Sequence, residues 1–204
     1  MFKKVASDAL GLSDLGSVIF PEDYDKTEAD DYVMHEDGEK IYFLIKSKSD
    51  EYCFTNKAMI HLDGASATSK KRTLNRYNYY SKVVSNVALE TAGTIDLDVE
   101  IKFNLGSAAF SVDVHKKFIA EVKDLYKTLL KMEEVTKDNQ VYLDYSERSL
   151  ELAAAAVNQS RSTEGSVSQE FNEINQAAFD WLKKQKEAYT MKDYGHIFKL
   201  FIDN

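Results

Sequence analysis

The segment Ile95-Asp-Leu-Asp-Val-Glu-Ile-Lys-Phe103 constrains the fold more than any other stretch of the chain. Ile95, Leu97, Val99, Ile101 and Phe103 fall on one side of an extended backbone, and Asp96, Asp98, Glu100 and Lys102 on the other. That alternation is the signature of a half-buried antiparallel strand. Such a strand needs partners, and the flanking sequence supplies them. From Lys40 to Val114 there is no proline, and short apolar runs are separated by turn residues. Ile41, Phe43 and Ile45 alternate in the first run. Glu51 to Phe54 follow the turn Lys48-Ser-Asp50, and Ala58, Ile60 and Leu62 lead to the stop at Asp63-Gly64. Residues 66–82 supply a fourth strand, Val83 to Glu90 a fifth, the opening segment the sixth, and Phe110, Val112 and Val114 a seventh after Leu105-Gly-Ser107.

The period then changes from two to 3.6. A helix is expected from Lys116 to Met132, with Phe118, Val122, Leu125 and Leu129 on one stripe. It can close an open sheet. Glu133 to Gln140 reads as a polar linker. Two further helices follow: Val141 to Gln159, with Leu143, Leu150 and Val157 at seven-residue spacing, and one capped at Ser166 or Ser168 that carries Phe171, Ile174, Ala178, Trp181, Leu182 and Gln185 on one side. They form a helical hairpin. A short helix over residues 2–10 stops at Gly11. The fold class is therefore α+β: a seven-stranded antiparallel roll or barrel closed by a helix and followed by the hairpin.

Charge is segregated along the chain. Between Glu22 and Glu39 there are nine acids and one base, a balance of -8 that equals the net charge of the whole protein. Repulsion predicts an exposed loop or a weak helix there. The stretch Ser66 to Lys82 carries Lys70, Lys71, Arg72, Arg76 and Lys82 and no acid. Three uses for this strip are open: protection of a sheet edge by charge, an anionic ligand or acidic segment of a partner, and pairing with the acidic stretch of the same or a neighbouring chain. On strand parity Lys70, Arg72 and Arg76 share a face with Leu74.

Several function classes are disfavoured. The N-terminus has no apolar run of signal-peptide length, and no stretch approaches the roughly 20 apolar residues of a spanning helix, so membrane insertion is not expected. The single Cys53 excludes an internal disulfide and fits a reducing compartment, which predicts a cytoplasmic protein. The four histidines, His35, His61, His115 and His196, have no metal-ligand spacing. There is no phosphate-binding glycine loop and no nucleophile motif. Carboxylates two apart on a strand, as at Asp96, Asp98 and Glu100, lie too far apart to share a calcium ion unaided. A sequence pI near 5.1 lacks the basic footprint of a nucleic-acid binder. No enzyme activity and no cofactor or metal are expected.

Gly38-Glu-Lys-Ile41, Phe54-Thr-Asn-Lys57, Ile60-His-Leu-Asp63, Lys70-Lys71, Tyr79 and Glu90-Thr-Ala-Gly-Thr94 with Asp96-Leu-Asp98 resemble the bacterial pleckstrin-homology domain family. The resemblance covers residues 1–132, and residues 138–204 resemble the YvbH-like extension found after some of those domains. Near the strip the chain departs from the family, with Ser69 before Lys70-Lys71 and Asn78 before Tyr79. The resemblance implies an assembling scaffold without an established reaction. The expected division is an N-terminal helix and acidic connector (1–38), a pleckstrin-homology-like domain (39–132) and a hairpin extension (138–204).

The functional expectation is a self-assembling scaffold or binding module, a homo-oligomer closing as a ring. Leu150, Val157, Phe171, Ile174, Trp181 and Leu182 are its candidate contacts. The alternative is a binding domain for an anionic ligand or another protein's acidic segment, with Lys70, Lys71, Arg72, Arg76 and Lys82 as contacts. Lipid binding is not expected, because Ile45-Lys-Ser-Lys-Ser-Asp-Glu-Tyr52 supplies two lysines and then two acids.

Overall fold

The computed structural model describes residues 15–64, 72–91, 98–160 and 167–202. Eight strands form two antiparallel sheets: β1 Ser17–Ile19, β2 Ile41–Lys46, β3 Glu51–Thr55, β4 Ala58–Gly64, β5 Arg72–Asn78, β6 Val84–Thr91, β7 Asp98–Leu105 and β8 Ala108–His115. The first five pair in sequence order, as do the last three. Gly16 joins the two sheets by a parallel bridge to Val114. Its N–H donates to the Asp113 carbonyl at 2.8 Å, and a β-carbon there would come within 2.6 Å of Ile45 Cγ2. Only glycine allows so close an approach.

The seven expected strands are present as β2 to β8. Strand β7 alternates as its sequence requires, with Val99, Ile101, Phe103 and Leu105 buried and Asp98, Glu100 and Lys102 half-buried between them. Ile95 to Leu97, and with them Asp96, lie outside the described residues, as does the short helix expected over 2–10. Strand β1 was not expected. Its three residues are all buried, so they carry no period-two pattern.

The five-stranded sheet is covered on both faces. On one, Phe43 and Phe54 meet the second sheet through Phe103, 5.8 Å from Phe54, and Phe103 stacks on Phe110 at 5.2 Å. On the other, Leu44, Cys53, Ile60 and Leu62 form a core with Ile19, Ala29 and Val33. Ala29 and Val33 belong to the acidic stretch, which takes the second of the two expected forms, short and weakly hydrogen-bonded helix, rather than a loose loop. It forms three 3-10 turns, Pro21–Lys26, Glu28–Tyr32 and His35–Asp37. The acids point outward from turns whose few apolar residues anchor them, so charge repulsion is dissipated in water while the backbone stays packed.

Helix α1 runs from Ile119 to Ser160, and the linker expected at Glu133 to Gln140 is absent. That stretch contains neither glycine nor proline, so nothing in it stops a helix. Val122, Leu125, Leu129 and Met132 are fully buried, in agreement with the expected stripe. Helix α2 spans Val167–Tyr189, and a short α3 spans Gly195–Phe201.

The chain divides into two compact units. Residues up to Glu133 and from Lys192 onward make the first, and Glu134 to Met191 the second. The last residues, expected within the hairpin extension, thus return to the sheet unit. Tyr194, Ile197 and Phe198 are buried there, with Phe198 stacked on Tyr42 at 5.1 Å and Tyr194 edge-on to Tyr79 at 5.6 Å. Asn56 Nδ2 donates to Asp193 Oδ2 at 2.7 Å, and Tyr194 N–H to the Asn56 carbonyl at 2.7 Å.

Candidate functional site

Two surfaces carry the features singled out in the sequence: the basic strand β5 and the helical hairpin of the second unit. In β5 the register places Arg72 opposite Gly64, Leu74 opposite Leu62 and Arg76 opposite Ile60. The arginines therefore point to the face covered by the acidic turns. Arg76 Nη2 donates to Glu39 Oε1 at 2.9 Å, and its Nε to Asn78 Oδ1 at 2.9 Å. Arg72 Nη1 lies 3.2 Å from Glu28 Oε2 and 3.8 Å from Glu51 Oε1. Of the three uses open for the strip, these two side chains adopt pairing with acids of their own chain. Lys82 is exposed in the turn after β5, and Lys70 and Lys71 lie outside the described residues.

Glu39 and Glu51 were not singled out, and both carboxylates are buried. Glu39 Oε2 accepts from Met34 N–H at 2.8 Å, and Thr55 Oγ1 donates to its other oxygen alongside Arg76. Glu51 accepts from Ala29 N–H at 2.8 Å and from Lys46 Nζ. Each carboxylate bolts the acidic stretch to the sheet by satisfying a backbone donor of that stretch. The signal in the sequence was parity: Glu51 shares the face of Cys53, which alternation alone marks as interior.

Burial pushes the Glu39 carboxyl up, but the hydrogen bonds from Arg76, Thr55 and the Met34 N–H outweigh it and hold the group below its ordinary value of 4.5. A carboxyl depressed by folding stabilises the native state above its unfolded value, and that contribution is lost as pH falls through the folded one. The stability gap between the wild type and Glu39→Gln should therefore be open at neutral pH and narrow as the pH falls below the ordinary value of 4.5 in urea titrations. A gap that stays constant with pH would refute this role for Glu39.

Cys53 is fully buried between these two acids. Burial, then Glu39 and Glu51, push its thiol well above the usual range, so it stays protonated and a poor nucleophile. His61 stacks on Tyr52 at 4.4 Å and lies 3.3 Å from Asp50. Among the described residues no three His, Cys, Asp or Glu side chains gather as metal ligands. Glu100 is engaged by Lys102 at 3.0 Å and by Ser111.

In the second unit the two helices run antiparallel. Tyr142 stacks on Tyr189 at 5.2 Å, Ser146 Oγ donates to Gln185 Oε1 at 3.3 Å, and Trp181 Nε1 donates to the Ser146 carbonyl at 3.4 Å. The seam is thus built by Trp181, Gln185 and Tyr189 of α2, with Ala178 half-buried one turn before Trp181 and Leu182. Phe171 and Ile174 continue the same helical stripe, two turns and one turn before Ala178, yet they are 66% and 50% exposed. Phe179 is 63% and Trp181 and Leu182 each 40% exposed, while Leu150 is half-buried. The side chain of Val157 lies outside the described residues.

The model of the bacterial PH domain matches residues 9–133, and that of the YvbH-like oligomerisation region matches residues 144–204. The chain belongs to the bacterial PH domain family. This PH-domain chain is 53% identical to YvbH of Bacillus subtilis (strain 168) over 204 residues, the whole of both chains. It is 34% identical to YjqA of the same organism over 95 residues, 46% of this chain and 74% of that one. A crystal structure of a PH-domain-containing protein from Exiguobacterium sibiricum 255-15 is 47% identical, covers 93% of this chain and all of its own, and superposes with a TM-score of 0.86. The oligomerisation-region match includes the whole of α2 and its exposed stripe. Among the described residues no helix is long and apolar enough to cross a membrane.

Proposed function

We propose that this protein is a non-enzymatic PH-like module that assembles with copies of itself through the hairpin of α1 and α2. The observation that carries the reading is the apolar stripe of α2, half-buried at Ala178, Gln185 and Tyr189 but open to water at Phe171 and Ile174 and partly so at Trp181 and Leu182. A second copy's hairpin is the occupant, because the match to an oligomerisation region falls on this segment. Apolar stripes of this kind gain about 25 cal/mol for each Å² withdrawn from water. Closed rotational symmetry is the arrangement that leaves no stripe unmatched, so the particle closes as a ring.

The test is light scattering on the full chain beside the double variant Phe171→Glu, Ile174→Glu. The wild type should elute at a multiple of the 23.2 kDa chain mass. The variant should fall to a smaller species while the near-ultraviolet circular dichroism of the sheet unit is retained. A single-chain mass for the wild type would overturn the proposal, and an unchanged particle in the variant would acquit this stripe.

A further inference from the structure

A cavity of about 120 Å³ opens within the first unit where β1, the first 3-10 turn, β2 and the start of α1 converge. Its walls are aromatic, with Phe20, Tyr24, Tyr42 and Phe43, and α1 contributes two carboxylates, Glu121 and Asp124, spaced three residues apart on one helical face. Among the described residues that line it there is no lysine, arginine or histidine. The carboxylates are not equivalent. Asp124 Oδ1 accepts from Lys127 Nζ at 2.8 Å, whereas Glu121 Oε2 is sealed from solvent and has no hydrogen-bond partner among the described residues. An acceptor in that state forfeits its hydration without compensation.

Ring faces carry negative potential, so aromatic walls with a carboxylate among them attract a cation and disfavour an anion. Volume limits its size: a cavity of ~150 Å³ takes up a benzene-sized molecule, so this one accommodates a chain of a few carbons with its head group. The chain's net charge of -8 adds a general attraction for cations.

We infer that this cavity is a binding site for an alkylammonium group of about lysine side-chain length, with the ammonium on Glu121 and the methylenes between Phe20, Tyr24 and Tyr42. The residues that line it include none of the second unit and none of β5, and the inference does not depend on the assembly proposed above.

The experiment is a heteronuclear NMR titration of the full chain with n-butylammonium chloride, against n-butanol as the neutral isostere and butyrate as the anion. Saturable shifts around Tyr42 and Glu121 with butylammonium, and binding of butanol weaker by about tenfold or more, are expected from loss of a charge-assisted hydrogen bond. Glu121→Gln, an isosteric change, should weaken butylammonium to the level of butanol while leaving the thermal melt intact, and Asp124→Asn should have the smaller effect. Cadaverine and a short glycine peptide carrying one lysine then distinguish a free amine from a partner protein's lysine by which binds more tightly. Equal affinity for butylammonium and butanol, or no saturation with either, would overturn the inference.

Discussion

Replacing Arg76 with glutamate is expected to destabilise the sheet unit by about 3–5 kcal/mol, the usual cost of breaking a buried ion pair from one side. The variant would set a second carboxylate against Glu39, whose own side chain is sealed from water and holds the Met34 N–H. The structure separates Arg72 from Arg76. Glu28, the nearest partner of Arg72, is partly exposed, and Glu51 keeps Lys46 and the Ala29 N–H when that arginine is lost. Arg72→Glu should therefore cost only about 1 kcal/mol. Urea unfolding of the two single variants decides the matter. Equal midpoints, or an Arg76→Glu midpoint matching the wild type, would show that the Glu39 pair does not hold the acidic turns in place.

Phe198→Ala should have an effect of similar size, about 3–5 kcal/mol, because it removes a fully buried ring and leaves a cavity between Tyr42 and Tyr79. Leu200→Ala, two residues away and 62% exposed, should stay within about 0.5 kcal/mol. Truncation at Met132 would remove α3 along with the hairpin and uncover both tyrosines. It therefore cannot report on the hairpin alone, and substitutions at Phe171 and Ile174 are the cleaner probe of assembly. Phe198→Ala melting with the wild type would mean that α3 merely rests on the sheet.

What could be read from the sequence was what repeats. The alternation of β7 and the 3.6-residue stripe Val122, Leu125, Leu129 each sample their period several times, and both appear as expected. Strand β1 has three residues and α3 seven, too few to establish a period. The stretch Glu133 to Gln140 looked like a linker because it lacks an apolar face, yet the absence of one says little about helicity where neither glycine nor proline breaks the run. At β5, parity placed Arg72 and Arg76 on one face correctly, but parity does not name what covers a face. That depended on Ala29 and Val33, two small apolar residues inside a stretch dominated by its acids. Glu39 was hidden for the same reason, as one acid among the nine of its stretch, whereas Glu51 was marked by its parity with Cys53.

The return of residues 194–202 to the sheet unit has a consequence for the order in which the protein can be completed. The Asn56–Asp193 hydrogen bond joins groups 137 positions apart, and an unstructured chain of that length closes slowly because the entropy of bringing its ends together must be lost first. Antiparallel zipping of α1 against α2, which pairs Tyr142 with Tyr189, draws the distant ends together through local steps. Because α3 follows both helices in the chain, they must be synthesised before Tyr42 and Tyr79 receive their cover. Damage to the seam at Ser146 or Gln185 would then register first as slow maturation of a sheet unit to which neither residue belongs.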